Sequence, residues 1–65
     1  MVLTVNGERH EVAASTVKAL LDELEYDGGF VVVAVNHDVV TRTRWDDTPL
    51  SDGDRVEIVT PRQGG

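Results

Sequence analysis

Thr16-Val17-Lys18-Ala19-Leu20-Leu21-Asp22-Glu23-Leu24-Glu25-Tyr26 decides the fold, because it is the one stretch of the chain with a helical period. Val17, Leu20, Leu21 and Leu24 recur at i, i+3, i+4 and i+7, which places them in one stripe along a helix. Lys18, Asp22, Glu23 and Glu25 fall on the other side. Ser15 or Thr16 can cap the start by accepting from a free amide of the first turn. Asp27-Gly28-Gly29 is the expected stop, since glycine takes the left-handed conformation without penalty. A single amphipathic helix has one face to bury, so it covers one side of one sheet.

On the N-terminal side, Met1 to Asn6 alternates apolar and polar, with Met1, Leu3 and Val5 sharing a face. Asn6-Gly7 suits the two left-handed positions of a tight hairpin turn. Glu8 to Ala13 then returns as a second strand with Val12, and His10 beside it, facing inward. On the C-terminal side, Phe30 to Val35 is a nearly continuous β-branched run and reads as an inner strand. Asn36-His37-Asp38 is turn-like, and Val39-Val40-Thr41 begins a short return strand. Thr48-Pro49-Leu50 reads as a bend and Ser51-Asp52-Gly53-Asp54 as a polar turn. Arg55 to Thr60 alternates again, with Val56 and Ile58 inward and Glu57 and Val59 on the other face.

The order strand, strand, helix, strand, short strand, strand is that of an α+β β-grasp domain, the ubiquitin-like roll, with a mixed sheet of four to five strands packed on one helix. A ferredoxin-like arrangement would require a second helix. Residues 41–54 contain Pro49 and Gly53 and show no helical period, which speaks against it. The expected organisation is a domain over 1–60 and a flexible tail over 61–65 that lacks apolar anchors.

Composition removes most enzymatic chemistries. The 65 residues make one small domain with no room for a large buried active site. There is no cysteine, and with it go disulfides, thiolate metal sites and cysteine nucleophiles. Twelve acidic residues against six basic ones leave a formal charge of −6, which repels nucleic-acid phosphates and anionic membranes and suits a basic protein partner. Neither the short apolar run at Phe30–Val35 nor the immediate start of the first strand reads as a membrane span or a cleavable signal, so a cytoplasmic domain is expected. His10-Glu11 and His37-Asp38 are adjacent pairs, whose side chains point to opposite faces of a strand and form no chelate or dyad. Asp46-Asp47 and Asp52/Asp54 lack the spacing of a calcium loop and read as solvated turn residues; no metal site is expected.

The terminal Gly64-Gly65 is a weak signal by itself, since a chance pair ends about one protein in 200. After a β-grasp domain it gains weight. Two terminal glycines make the narrowest possible peptide, able to thread a tight channel and present a main-chain carboxylate to another protein. That carboxylate becomes an electrophile once ATP converts it to an acyl adenylate, from which a sulfur or nitrogen nucleophile displaces AMP.

Val5-Asn6-Gly7-Glu8, Thr16-Val17-Lys18-Ala19-Leu20-Leu21, Val33-Ala34-Val35-Asn36, Val39-Val40 through Trp45, and Leu50-Ser51-Asp52-Gly53-Asp54-Arg55-Val56-Glu57-Ile58-Val59 with the final Gln63-Gly64-Gly65 together resemble the ThiS family, the sulfur carriers of thiamine biosynthesis. The likeness runs the whole length, and Asp-Gly-Asp-x-Val-Glu-Ile followed by a terminal Gly-Gly is its most specific part. Where family members usually carry Asn-Gly-Glu or a similar turn, this chain has Asn36-His37-Asp38. The resemblance implies that an E1-like adenylyltransferase activates Gly65 with ATP. A sulfur-donating desulfurase or rhodanese then makes the thiocarboxylate, and thiazole synthase takes the sulfur. Gly64 and Gln63 would thread the partner's channel, with Val59 and Arg62 at the docking surface. The chain would be a co-substrate and not an enzyme, binding neither ATP nor metal itself. The small subunit of molybdopterin synthase and carriers for cysteine synthesis or tRNA thiolation share the tail chemistry. A ubiquitin-like modifier shares the activation but not the product, with Lys18 and the N-terminal amine the only acceptors for self-chains. In a pure interaction module the glycines would be incidental.

Overall fold

The computed structural model describes residues 1–26 and 30–60. The chain runs β1 (Val2–Val5), β2 (Glu8–Glu11), α1 (Val17–Glu23), β3 (Val32–Val35), β4 (Asp38–Val40), a 3₁₀ helix (Arg42–Asp47) and β5 (Arg55–Val59). The five strands form one sheet in the order β2-β1-β5-β3-β4. The last strand lies between the first and the third, parallel to β1 through Thr4↔Arg55 and Val5↔Val56 and antiparallel to β3 through Val32↔Val59 to Val35↔Val56. This is the mixed β-grasp sheet, with the one α-helix of the described residues across one face.

Both hairpins turn through two residues with positive φ, Asn6-Gly7 after Val5 and Asn36-His37 after Val35. That geometry matches the right-handed twist of the flanking strands. The core forms where α1 meets the inner sheet face: Val17, Leu20 and Leu21 pack over Leu3, Val5, Val33, Val56 and Ile58, joined by Val12, Ala14, Trp45 and Leu50. Leu24, expected in this core as part of the helix stripe, and Val35 are half-buried at its margin.

The helix begins as its sequence requires, with the Thr16 hydroxyl accepting from the Ala19 amide at 3.2 Å. It ends earlier than the Asp27-Gly28-Gly29 stop, whose residues lie outside the described ones. Glu25 takes the left-handed conformation at φ 66°. The Tyr26 amide then donates to Leu21 O at 2.9 Å and the Glu25 amide to Asp22 O at 3.1 Å. These two bonds satisfy the last carbonyls in the manner of a glycine cap, without glycine. Glu23 ties this end to the strand before it, its carboxylate accepting from the amides of Ala13 and Ala14.

The 3₁₀ helix corrects the reading of residues 41–54 as free of helix. Six residues at three per turn leave no α-helical stripe to detect. It seats Trp45, whose indole donates to Val40 O at 3.1 Å while the Arg42 guanidinium lies 5.7 Å from the ring centre. It is a single short connection and adds no second α-helix. Phe30 and Val31 likewise precede β3 instead of belonging to it, and Phe30 is exposed. No helix among the described residues is long and apolar enough to cross a membrane.

Candidate functional site at the open sheet face

Because α1 covers one face of the sheet, the residues that alternate to the other face have no second layer of described residues over them. On β5 these are Arg55, Glu57 and Val59, all exposed between the buried Val56 and Ile58. Val59 pairs directly with Val32 of β3, and Ala34 pairs with both Glu57 of β5 and Val39 of β4. The valines are 56%, 47% and 67% exposed at positions 59, 32 and 39. Together with half-buried Ala34 they make an apolar strip across three strands, at the point where the chain leaves the sheet. The other side of this face is polar, with Thr4 opposite Arg9 and beside Arg55. A shallow depression lined by Thr4, Asn6, Gly7, Arg55, Glu57 and Val59 joins the two halves.

Val59 is the one expected site residue among those described, and it stands where expected, on the uncovered face and next to last before the tail. Arg62, Gln63, Gly64 and Gly65 lie outside the described residues. Of the surface anchors, sequence reasoning named only Val59: Val32 fell inside the run Phe30–Val35, read as an inner strand, and Val39 in the short return strand. The available signal was that an apolar run in a one-helix domain must leave one of its faces bare.

Several of the polar groups singled out by the sequence have local partners or lie in solvent. Nε2 of His10, half-buried, lies 3.8 Å from Glu8 Oε1, and His37 is exposed in its turn. Asp52 accepts from the Val2 amide at 2.6 Å, and Asp54 accepts from the Ser51 amide at 2.8 Å and from Asn36 at 3.1 Å. Among the described residues no three histidine or carboxylate side chains gather to hold a metal ion. A cleft between α1 and the 3₁₀ helix, lined by Leu21, Tyr26, Val31 and Trp45, opens on the helix side of the molecule, with the Lys18–Asp22 ion pair at its rim.

A family model described as the ThiS family matches residues 3–65. The sulfur carrier protein ThiS of Thermus thermophilus is 36% identical over 61 residues, covering 94% of this chain and 95% of that protein. A thiazole synthase of Paramagnetospirillum magneticum is 41% identical over 66 residues, which is all of this chain but only 20% of that one. Among solved structures, the crystal structure of a thiamine biosynthesis protein (ThiS) from Geobacter metallireducens superimposes with a TM-score of 0.84 at 36% identity, each chain fully covered. Its solution structure gives 0.82 over 88% of that chain.

Proposed function

We propose that this chain, which belongs to the ThiS family, carries sulfur for thiazole formation on the carboxylate of Gly65. The observation that carries this reading is the end-to-end match to a sulfur carrier, with the family model running through residue 65. The chain is a protein substrate of other enzymes and not an enzyme itself. An E1-like adenylyltransferase would bind and consume the ATP, forming the acyl adenylate and releasing pyrophosphate. The terminal sulfur of a persulfide on a desulfurase or rhodanese displaces AMP, and thiol cleavage of the resulting acyl disulfide leaves the thiocarboxylate. Thiazole synthase then accepts the sulfur. A domain similar to this one forms part of a longer chain named thiazole synthase in Paramagnetospirillum magneticum, which supports that pairing.

The partners would dock on the open face, with Val59, Val32 and Val39 as apolar anchors and Arg62 as a further contact, and Gln63 and Gly64 would thread the channel. An exposed apolar strip of this kind marks an interaction surface. Activation and sulfur transfer belong in the cytoplasm, where ATP is available.

Incubation with the cognate adenylyltransferase, ATP and a persulfide donor is expected to add roughly 16 Da to the intact mass, one oxygen exchanged for sulfur. Removal of Gly65 abolishes the gain. Accumulation of a lysine conjugate in place of the mass gain would identify a protein modifier and overturn the proposal.

A further inference from the structure

The backbone of β1 turns away at Gly7, while β5 runs on past it to Val59. Beyond Val56, whose carbonyl accepts from the Asn6 amide at 2.9 Å, the β1 side of β5 has lost its neighbouring strand. Ile58 directs both its amide and its carbonyl to this side. The Asn6 side chain meets both: Oδ1 accepts from the Ile58 amide at 2.8 Å, and Nδ2 donates to the Ile58 carbonyl at 3.1 Å. The carboxamide thus substitutes for a missing peptide unit of the ladder, two residues before the last described residue, Thr60. Asn6 itself stands at φ 50°, at the first position of the hairpin turn. The second hairpin uses a related device at the opposite end of β5: Asn36, also at φ 50°, donates its backbone N–H to Arg55 O at 2.7 Å, while its side-chain Oδ1 accepts from the Arg55 amide at 3.0 Å and its Nδ2 donates to Asp54 at 3.1 Å.

We infer that Asn6 is a positioning residue for the reaction at Gly65: it pairs the final turn-side peptide of β5 and thereby fixes the point from which the tail is launched. The inference rests on the carrier reading and concerns a residue that touches neither the carboxylate nor sulfur. A tail of five residues, 61–65, reaches at most about 17 Å, so the position and direction of Thr60 determine where the carboxylate can go. Without the clamp, the end of β5 must be ordered again each time a partner docks, which raises the KM for the carrier and leaves kcat unchanged once the tail is seated.

Asn36 supplies the matched control, because glycine at either position keeps the positive φ while removing the side-chain clamp. The adenylyltransferase reaction is followed by intact mass over a range of carrier concentrations for the natural protein, Asn6→Gly and Asn36→Gly. Conversion of the natural protein tests the carrier reading separately. Asn6→Gly is expected to raise KM about tenfold, the equivalent of ordering one residue, with faster hydrogen exchange at Ile58. Asn36→Gly destabilises comparably but leaves KM unchanged. Asn6→Asp keeps the acceptor for the Ile58 amide, loses the donor, and restores part of the deficit. It serves as the measured variant if Asn6→Gly does not fold. Equal KM values for the two glycine variants, or an unchanged KM in Asn6→Gly or, where that fails to fold, in Asn6→Asp, would overturn the inference.

Discussion

Among the described residues, Asn6, Glu25, Asn36 and His37 hold positive φ without being glycine. For the asparagines the conformation is mild and repaid in hydrogen bonds to β5. Glu25 and His37 have no such side-chain compensation in the structure, and the left-handed region costs such residues about 1–2 kcal/mol. His37 occupies the second turn position, where glycine is favoured in turns of this type. Glu25→Gly and His37→Gly are each expected to stabilise the protein by about 1 kcal/mol after the extra freedom glycine gives the unfolded chain is deducted. In a domain of this size that is a rise of about 5 °C in Tm; an unchanged or lowered midpoint would show that the strain is relieved elsewhere. This scale was the least legible in the sequence. Asn6-Gly7 announces its turn through residue type, whereas nothing about Glu25 distinguishes it from a residue in the middle of a helix. The structure makes it the cap because Leu21 and Tyr26 both pack against the core on either side of it.

The elements were legible wherever an apolar period was long enough to be seen. Leu20 shows the gain: it is fully buried at the centre of the stripe, and Leu20→Ala should cost about 3 kcal/mol through lost burial and the cavity left behind. Equilibrium denaturation measures this, and a loss well under 1 kcal/mol would mean that α1 does not hold the core. The alternation along β5 separates packing from docking in the same way. Val59→Asp should change stability by no more than about 0.5 kcal/mol, because the side chain is already half in water. It should weaken adenylyltransferase binding about tenfold or more. Val56→Asp, one pleat inward at a fully buried site, should unfold the domain. Unchanged affinity of a folded Val59→Asp protein would remove the open face from the docking model. The 3₁₀ helix escaped notice for the opposite reason, being too short for any period; only Trp45, an indole in need of burial, hinted that this connection packs against the core.

At the level of the whole molecule, the element order pointed to a single helix on a single sheet, but the parallel pairing of β1 with β5 is a contact between opposite ends of the chain. No local pattern encodes it; the mixed sheet expected of a β-grasp domain requires a parallel pair, and the register Thr4↔Arg55 supplies it. The consequence is functional. Inserting the last strand in the middle of the sheet leaves it paired on both sides, with Asn6 completing one of them, and the tail therefore departs from a strand held along both edges. Delivery of sulfur from that tail can be followed with an isotope. The carrier is charged with ³⁴S at its C-terminus, freed of the donor, and given to thiazole synthase with its remaining substrates. The thiazole product is expected to be about 2 Da heavier than with natural sulfur, and the carrier to return to its carboxylate mass. A product of unlabelled mass, with ³⁴S retained on the carrier, would contradict it.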